Sequence, residues 1–209
     1  MIYPCIKRGM DFLIALLALI ILSPLFLCLV IAIKLESPGP VFFKQKRVGI
    51  HKSFFPIYKF RTMRTDTPKD VPTHMLKNPE QYITRTGSFL RRTSLDELPQ
   101  LINILKGDMA LVGPRPALWN QNDRIAEREK YGANDILPGL TGWAQINGRD
   151  ELEIPVKAKL DGEYVRKMSF FFDIKCLFGT VFSVLRSDGV VEGGTGTLKE
   201  QTEDKAEKE

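Results

Sequence analysis

A long apolar segment near the N-terminus constrains this chain more than any other feature. The 22 residues between Asp11 and Lys34 carry no charge. As one helix they would be about 33 Å long, enough to cross a hydrocarbon core of about 30 Å. The run is too long for a cleavable signal peptide, and no small-x-small cleavage site precedes its charged continuation. The segment therefore predicts a membrane-associated element that persists in the mature protein.

The Ser23-Pro24 pair lies at the middle of this apolar segment. Proline removes a helical hydrogen bond and permits a sharp bend, and each half would then be about 16 Å long, roughly one leaflet. Lys7 and Arg8 precede the segment and Lys34 ends it, so the positive-inside preference favours both ends on the cytoplasmic side. A re-entrant hairpin satisfies both observations. A proline-kinked spanning helix is the alternative that the residues leave open.

The rest of the composition indicates one globular domain with appendages. The chain has 209 residues, of which 44% are hydrophobic, and a formal charge of +5. The acidic tail from Lys199 to Glu209 makes the remainder more basic still. Such a surface suits phosphate-bearing partners, whether nucleic acid, anionic lipid or sugar nucleotide. The three cysteines form no Cys-x-x-Cys pair, and the two histidines lie far apart, so neither a disulfide framework nor a zinc site is predicted.

Several segments after residue 36 have interpretable patterns. VFFKQKRVG and FFPIYKFRTM predict two strands around a turn at residues 49–52. The polar stretch from Asp66 to Tyr82 predicts a loop, either a mobile cover or an ordinary surface loop. NQNDRIAEREKYG predicts a solvated helix, and PGLTGWAQINGR a glycine-rich loop without regular structure. A charged, glycine-rich tail after residue 191 predicts disorder.

Two further helices are predicted from periodicity. One runs from about Asp96 to Lys106, ends at Gly107 and buries a stripe of leucine and isoleucine: Leu98, Leu101, Ile102 and Leu105. The other covers Tyr164 to Ser187, where small or polar residues form a narrow stripe and phenylalanines cover most of the remaining surface. The stripe comprises Asp173, Cys176, Thr180, Ser183 and Ser187. We expect this second helix to lie in a membrane interface, with Lys175 and Arg186 reaching headgroups; a central core helix is the alternative.

Two adjacent carboxylates, Asp96 and Glu97, are the candidate chemical centre. Their simplest explanation is a helix N-terminus in which Ser94 caps the helix and Glu97 closes a Ser-x-x-Glu box. The same position suits a nucleophile, because the helix dipole and nearby Arg91 and Arg92 would keep a carboxylate ionised. Two adjacent carboxylates can also share one Mg²⁺.

Basic residues that could neutralise phosphate charge occur in two other motifs. Lys59 and Arg61 belong to YKFRTM, and Arg115 lies between two prolines in VGPRPAL. Prolines on both sides stiffen the backbone that presents this guanidinium, as phosphate recognition in a fixed geometry requires. The sequence contains no Walker-type loop, no Gly-x-Gly-x-x-Gly motif and no Asp-x-Asp pair. The usual nucleotide-binding folds are therefore not supported.

Six segments together resemble the monotopic phosphoglycosyl transferases, also called bacterial sugar transferases: KRGMDFLIALLALIILSP, SPGPVFFKQKRVG, YKFRTM, RTGSFLRRTSLDELPQLINILKGDMALVGPRPAL, LPGLTGWAQINGR and FFDIKCLFGT. The likeness covers about residues 5–190 and is most specific in SLDELPQLINILKGDM with VGPRP. It is closest to small members with a single catalytic domain that initiate capsule or glycan assembly.

The resemblance implies an α+β fold, mostly helical with a small β-hairpin. Residues 1–36 would form a re-entrant membrane hairpin broken at Ser23-Pro24, residues 37–190 a catalytic domain on the cytoplasmic face of the bacterial inner membrane, and residues 191–209 a disordered tail. It implies transfer of a sugar-1-phosphate from a UDP-sugar to polyprenyl phosphate, with membrane lipid but no nucleic acid as a partner. The residues of TGWAQINGR do not distinguish an N-acetylated sugar from galactose or glucose, and the oligomeric state is not indicated.

The same resemblance implies the roles of the site residues. Asp96 would form a covalent aspartyl phosphosugar and release UMP. Glu97 would help hold Mg²⁺ together with Asp96 and assist the acceptor. The phosphate charge would be neutralised by a basic set comprising Lys59, Arg61, Arg91 and Arg115.

Two other classes of function stay open from the residues alone. One is a non-catalytic, membrane-anchored protein that binds anionic lipid or nucleic acid through its basic face. The other is an ordinary glycosyltransferase, which would release UDP instead of UMP.

Overall fold

The computed structural model describes residues 3–67, 79–148 and 152–186, and it forms an α+β fold that is mostly helical, as predicted. The predicted tail at 191–209 and most of the predicted loop between Asp66 and Tyr82 lie outside these residues. The helices are α1 (Tyr3–Ile21), α2 (Ser23–Glu36), α3 (Arg85–Arg92), α4 (Gln100–Lys106), α5 (Asn122–Glu129), α6 (Trp143–Ile146), α7 (Ile154–Lys167) and α8 (Phe170–Arg186). The strands are β1 (Phe42–Val48), β2 (Phe54–Phe60), β3 (Ala110–Val112) and β4 (Gly139–Thr141).

The predicted break in the apolar segment is confirmed. The axis of α2 is bent by 62° relative to that of α1. Pro24 has no N–H to donate to the carbonyl of Ile20, one turn earlier. The Ser23 hydroxyl donates to that carbonyl instead, at 2.8 Å. The Ser-Pro pair thus bends the chain while it leaves this carbonyl hydrogen-bonded.

The hairpin of α1 and α2 keeps much of its apolar surface exposed. Leu17, Ile21 and Leu35, for example, are exposed on these two helices. No single helix in the described ranges is long and apolar enough to cross a bilayer, whereas α1 and α2 reach that length and composition only when counted together across their bend.

The antiparallel pair of β1 and β2 confirms the predicted β-hairpin and its turn. Phe42 pairs with Phe60 and Val48 with Phe54. Successive side chains of a strand point to opposite faces, so Phe55, Ile57 and Lys59 share one face of β2. Phe55 and Ile57 lie in the main core. The alternation therefore aims Lys59 inward at the end of a buried row.

Two hydrophobic clusters attach the helical hairpin to the rest of the fold. Ala15 of α1 belongs to the main cluster with Leu101 and Ile104 of α4. Leu29 and Ile33 of α2 form a smaller cluster with Phe60 and Leu90. Arg8 adds a polar attachment, because its guanidinium donates to the carbonyls of Ile104 at 2.6 Å and Leu105 at 3.2 Å. The hairpin is packed on the domain along both of its arms.

A buried polar cluster joins α1 to α7 and α8. The Asp173 carboxylate accepts from the hydroxyl groups of Tyr3 and Tyr164, each at 2.7 Å, and pairs with Lys7 Nζ at 2.7 Å. Lys7 also lies 3.3 Å from Asp11. The Tyr164 hydroxyl contacts the carbonyl of Val112 in β3 at 3.0 Å. Burying these charges is favourable only because each has a partner.

The predicted helix from Tyr164 to Ser187 is wrong in one respect, because it is two helices. Helix α7 ends at Lys167 and α8 begins at Phe170. Within α8 the predicted division of faces is confirmed: Asp173 and Cys176 are buried, whereas Phe178 and Phe182 are exposed by 64% and 61%. Thr180 and Ser183 are half-buried on the same side. The side chains from residue 184 onward, including Arg186 and Ser187, lie outside the described part.

The prediction of an irregular loop at PGLTGWAQINGR is also wrong. Gly139–Thr141 forms β4, which pairs in parallel with β3, and Trp143–Ile146 forms α6. Gly139 and Gly142 allow this pairing, because a Cβ on either would lie about 2.1 Å from backbone atoms of Gly113. Two residue pairs are too few to produce a periodic sequence signal, so this pairing depends on tertiary packing.

Candidate active site

The two predicted carboxylates lie on a tight turn that leads into α4. Leu95–Glu97 form a 3₁₀ turn, and α4 begins only at Gln100. The predicted helix start at Asp96 and the predicted capping box are therefore wrong. Ser94 adopts a left-handed conformation with φ of 56° and makes no side-chain capping bond. Asp96 also lies outside the first turn of α4, so the helix dipole does not explain its ionisation. The predicted end at Gly107 is correct.

The end of β2 brings Lys59 to this turn. Its Nζ lies 2.7 Å from Glu97 Oε1 and 3.7 Å from Asp96 Oδ2. All three side chains are largely buried, with exposed fractions of 19% for Lys59, 12% for Asp96 and 18% for Glu97. A single lysine therefore faces both carboxylates, although only the contact with Glu97 is a hydrogen bond.

The proline-flanked Arg115 reaches the same turn from the segment after β3. Its guanidinium donates two hydrogen bonds to Glu97, from Nη2 to Oε1 at 2.7 Å and from Nη1 to Oε2 at 3.3 Å. This fork fixes the orientation of both groups. Part of the guanidinium stays exposed, because the side chain retains 33% of its accessible surface. Arg115 can therefore meet a ligand while Glu97 holds it.

The two neighbouring carboxylates differ strongly in their surroundings. Burial raises the pKa of Asp96 above its usual value, with Lys59 opposing and Glu97 adding to that rise. For Glu97 burial acts in the same direction, but Arg115 and Lys59 outweigh it and hold its pKa well below its usual range. Glu97 is thus a fixed anion with its partners in place. Asp96 accepts no hydrogen bond from the described residues, and its nearest cation is Lys59 at 3.7 Å.

The other two predicted basic residues have different surroundings. Arg91 donates through Nε to the Thr62 hydroxyl at 2.9 Å, and its charge lowers the pKa of Asp96. Gly87 permits this approach, since a Cβ there would lie 2.0 Å from the Thr62 carbonyl oxygen. Arg61 is not brought to the site. It is buried and donates to the carbonyls of Ser37 at 2.7 Å and Pro38 at 2.6 Å, where it holds the end of α2.

Sequence reasoning missed a second buried ion pair beside Arg115. Arg128 of α5 contacts Asp161 of α7 at 2.6 Å, and both are nearly fully buried. The predicted α5 is therefore a helix, as expected, but it is not solvated on all sides. Arg128 and the neighbouring Arg124 both donate to the carbonyl oxygen of Arg115, at 2.8 Å and 3.3 Å. The only signal in the sequence is that both arginines lie four residues apart on one helix face.

The carboxylate pair is also the place to test for a divalent ion. Within the described residues, no three or more His, Cys, Asp and Glu side chains gather in a way that could hold a metal. Mg²⁺ does not need such a cage, because it commonly uses one or two carboxylates with phosphate oxygens and water. The hydrogen-bond-free Asp96 carboxylate fits that donor set, with Glu97 beside it.

Comparison with known proteins identifies the family of the chain. The model of the bacterial sugar transferase family matches residues 2–187. The chain therefore belongs to the bacterial sugar transferase family. This membership confirms both the resemblance drawn from the sequence and the prediction of a transferase enzyme.

Three relatives illustrate the range of the family. The chain is 44% identical over 184 residues to the UDP-glucose:undecaprenyl-phosphate glucose-1-phosphate transferase of Escherichia coli, a match covering 85% of this chain and 39% of that protein. It is 43% identical to the uncharacterized sugar transferase EpsL of Bacillus subtilis, covering 88% of this chain and 90% of that one. It is 39% identical to the UDP-N-acetylgalactosamine-undecaprenyl-phosphate N-acetylgalactosaminephosphotransferase of Aeromonas hydrophila, covering 90% and 45%. The chain thus spans less than half of two of these relatives and most of the third.

Proposed function

We propose that this protein transfers a sugar-1-phosphate from a UDP-sugar to polyprenyl phosphate and releases UMP. The transfer has two steps. A carboxylate oxygen of Asp96 attacks the sugar-bearing phosphorus, and the bond from that phosphorus to the bridging oxygen breaks, so that UMP departs. A phosphate oxygen of polyprenyl phosphate then attacks the same phosphorus and displaces Asp96, which yields a polyprenyl diphosphate sugar. The Asp96 carboxylate is regenerated.

The observation that carries this proposal is the contrast between Asp96 and Glu97. A nucleophilic carboxylate needs an oxygen that no donor occupies, and Asp96 accepts no hydrogen bond from the described residues. Glu97 has two partners that hold it in place. Lys59 lies near enough to Asp96 to favour its ionised form without hydrogen-bonding to it. The surroundings of Asp96 therefore fit a nucleophile, and those of Glu97 fit a fixed anion that positions the two cations.

The basic residues have distinct roles in this scheme. Arg115 and Lys59 face the dyad and would neutralise the phosphate oxygens as charge shifts in the loose transition state. Glu97 orients both cations before substrate arrives, so little reorganisation is needed. Arg91 contributes a more distant positive charge that lowers the pKa of Asp96. Arg61 has no role in phosphate binding in this proposal, because carbonyl groups of the α2 end use its donors.

We include Mg²⁺ as the cofactor, held by Asp96 and Glu97 together with substrate phosphate oxygens and water. When bound, the ion would offset the negative charge of the diphosphate and polarise the bond to the leaving group. The nucleophilic role of Asp96 needs only one of its two carboxylate oxygens, so this role and a contribution to holding the ion would be compatible.

The proposed acceptor is a membrane lipid, and two surfaces suit that location. The hairpin of α1 and α2 exposes apolar side chains on both arms, and α8 exposes Phe171, Phe178 and Phe182. We propose that the hairpin is re-entrant, with both ends at the cytoplasmic face of the bacterial inner membrane and α8 along the interface. Lys175 would reach the headgroup region there; its Nζ lies 4.7 Å from the ring centre of Trp143.

The donor is proposed only as a UDP-linked hexose. Relatives of similar identity are named for glucose, galactose and N-acetylgalactosamine. A panel of UDP-sugars with purified protein and undecaprenyl phosphate, read out by formation of the lipid product, would identify the sugar. The product would serve the first membrane step of capsule, exopolysaccharide or glycoconjugate synthesis.

The deciding experiment is a brief incubation of the purified protein with UDP-sugar and Mg²⁺ in the absence of acceptor. We expect UMP release up to about one equivalent of enzyme, and none from Asp96→Asn. Release of UDP would instead identify an ordinary glycosyltransferase. Absence of any turnover with acceptor present, across the sugar panel, would favour a non-catalytic anion-binding protein. UMP release only when acceptor is added would contradict the covalent step.

A further inference from the structure

Three arginines from two elements, β1 and α5, surround the backbone that presents Arg115. Arg47 of β1 donates to the carbonyl of Pro116 at 3.1 Å. Arg128 and Arg124 of α5 donate to the carbonyl of Arg115 at 2.8 Å and 3.3 Å. Together with Arg115 itself, these side chains form an arginine cluster, a name used below for these four residues.

The arginine cluster contains more positive than negative charge. Asp161 pairs with Arg128, and Glu97 pairs with Arg115. The four arginines of the cluster thus lie near two carboxylates. Buried charges of like sign repel one another strongly, so an excess of this size fits a site where an anion binds.

Arg124 is the member whose surroundings bear most directly on a ligand. It forms no ion pair within the described ranges, and its Nε is buried without a hydrogen-bond acceptor. Burial, together with the charge of Arg128, lowers the pKa of Arg124 to about 9. A buried guanidinium donor without an acceptor is unfavourable, which is typical of a group whose partner is a ligand.

We propose that Arg124 forms a second phosphate-binding position beside Arg115, and that it binds the donor phosphate that departs with the nucleoside. This inference rests on the proposed function, because it divides the diphosphate between two arginines. Arg115 would contact the sugar-bearing phosphate near Asp96, and Arg124 the neighbouring phosphate. Arg128, held by Asp161, is a positioning residue that fixes the Arg115 backbone between them.

The position of α5 favours the water-soluble donor over the lipid acceptor. Helix α5 packs mainly on α7, whereas the apolar hairpin packs mainly on α3, α4 and β3. Arg124 is therefore on a part of the domain away from the hairpin. A phosphate attached to a polyprenyl chain would approach from the hairpin side, so the acceptor is expected to be insensitive to Arg124.

The test is calorimetric binding of UMP and uridine to the purified full chain in detergent, comparing wild type with Arg124→Gln and Arg124→Lys. We expect Arg124→Gln to weaken UMP binding about tenfold or more and to leave uridine binding unchanged, because only UMP carries the phosphate. Arg124→Lys should retain part of the affinity, since a lysine keeps the charge but loses the fork. Lys130→Gln, at the exposed end of the same helix, is the matched control and should bind UMP like wild type.

Thermal unfolding separates ligand binding from a structural role. Removing one of several like charges should leave the melting temperature of Arg124→Gln unchanged or raise it, while the stabilisation by UMP is lost. Equal UMP affinities for wild type and Arg124→Gln would overturn the inference. A raised KM for polyprenyl phosphate with an unchanged KM for UDP-sugar would assign Arg124 to the acceptor and overturn it as well.

The binding assay needs no turnover, so its outcome is distinct from that of the proposed function. Turnover by Asp96→Asn would contradict the covalent step and leave an Arg124-dependent UMP affinity standing. A wild-type protein that binds neither UMP nor UDP would overturn both proposals.

Discussion

Asp96 and Asp173 are both buried aspartates next to a lysine, yet their surroundings are opposite. Asp173 accepts hydrogen bonds from two tyrosine hydroxyls and pairs with Lys7 at 2.7 Å. Asp96 accepts none from the described residues and lies 3.7 Å from Lys59. The fold therefore stabilises one buried carboxylate fully and gives the other no hydrogen-bond donor among the described residues.

This difference shows that burial alone does not identify a functional carboxylate. Removing an acid from water is unfavourable in both places, but at Asp173 three donors offset that cost. At Asp96 burial still dominates, and the pKa is raised. We therefore expect substitutions at the two positions to affect different properties, with Asp96 controlling chemistry and Asp173 controlling stability.

Asp96→Asn should give the largest effect of all. We expect transfer to fall by about four orders of magnitude or more, because the nucleophile is lost. The free energy of unfolding at neutral pH should stay level or rise, since a raised pKa means that the fold disfavours the ionised form of Asp96. Transfer is measured with labelled UDP-sugar, and stability by thermal unfolding in the same detergent. Residual turnover within tenfold of wild type would remove Asp96 from the mechanism.

Asp173→Ala should have the opposite pattern. Three partners lose their acceptor in the protein interior, so we expect the free energy of unfolding to fall by about 3 kcal/mol. Protein that remains folded should transfer with a near-normal rate per folded molecule. Asp66→Ala is the control, because its pair with Arg64 is exposed and should contribute less than about 0.5 kcal/mol. Equal destabilisation by the two variants would contradict the structural role of Asp173.

Arg115→Lys tests whether the two hydrogen bonds that hold Glu97 beside Asp96 are needed for activity. Lysine keeps the charge but cannot reproduce the two hydrogen bonds to Glu97. We expect kcat/KM for UDP-sugar to fall about 10- to 100-fold, with little change in the melting temperature. Arg64→Lys, at an exposed ion pair, should behave like wild type. An unchanged kcat/KM in Arg115→Lys would show that charge alone suffices.

The smallest effect concerns pH. In the proposed mechanism Asp96 must be ionised to attack. Its pKa is raised, so activity should be lost on acidification at a higher pH than an ordinary aspartate value of 3.8 would give. Lys59 lowers the pKa of Asp96, so Lys59→Met should move the acid limb of kcat/KM upward by about one pH unit.

Lys44→Met is the matched control for that shift, because Lys44 lies on the face of the β1–β2 hairpin opposite to that of Lys59. The pKa of Glu97 is shifted in the opposite direction to that of Asp96. It is held well below 4.5, so Glu97 stays ionised throughout this range. Its contribution to stability is present above about pH 4.5 and is lost only as the pH falls through its lowered pKa. An acid limb that did not move in Lys59→Met would show that Asp96 titration does not limit the rate.

Local sequence signals predicted the elements that short-range physics determines. The Ser23-Pro24 bend, the β-hairpin around residues 49–52 and the helix end at Gly107 each follow from a short local pattern. The sequence also located the dyad and Arg115, although their grouping came from a family resemblance and not from periodicity. The structure brings them together because β2, the turn before α4 and the segment after β3 converge.

Features that depend on distant residues were not predictable in this way. The Asp173 cluster joins residues up to 170 positions apart, and the Arg128–Asp161 pair joins α5 to α7. Asp173 interrupts an aromatic run, which is a sign of a buried charge but does not reveal its partners. Arg61 was misjudged for a related reason, since a basic residue near a site motif can equally bind carbonyl groups of a helix end.

Arg8 makes the helical hairpin a structural part of the domain that holds the candidate site. This side chain, from the first helix, closes the open carbonyl end of the short helix that follows the reactive turn. A protein shortened by residues 1–36 would lose these two hydrogen bonds along with Lys7. A foreign membrane anchor in their place would not restore them. The proposed anchoring and the structure of the candidate site therefore cannot be engineered independently in this protein.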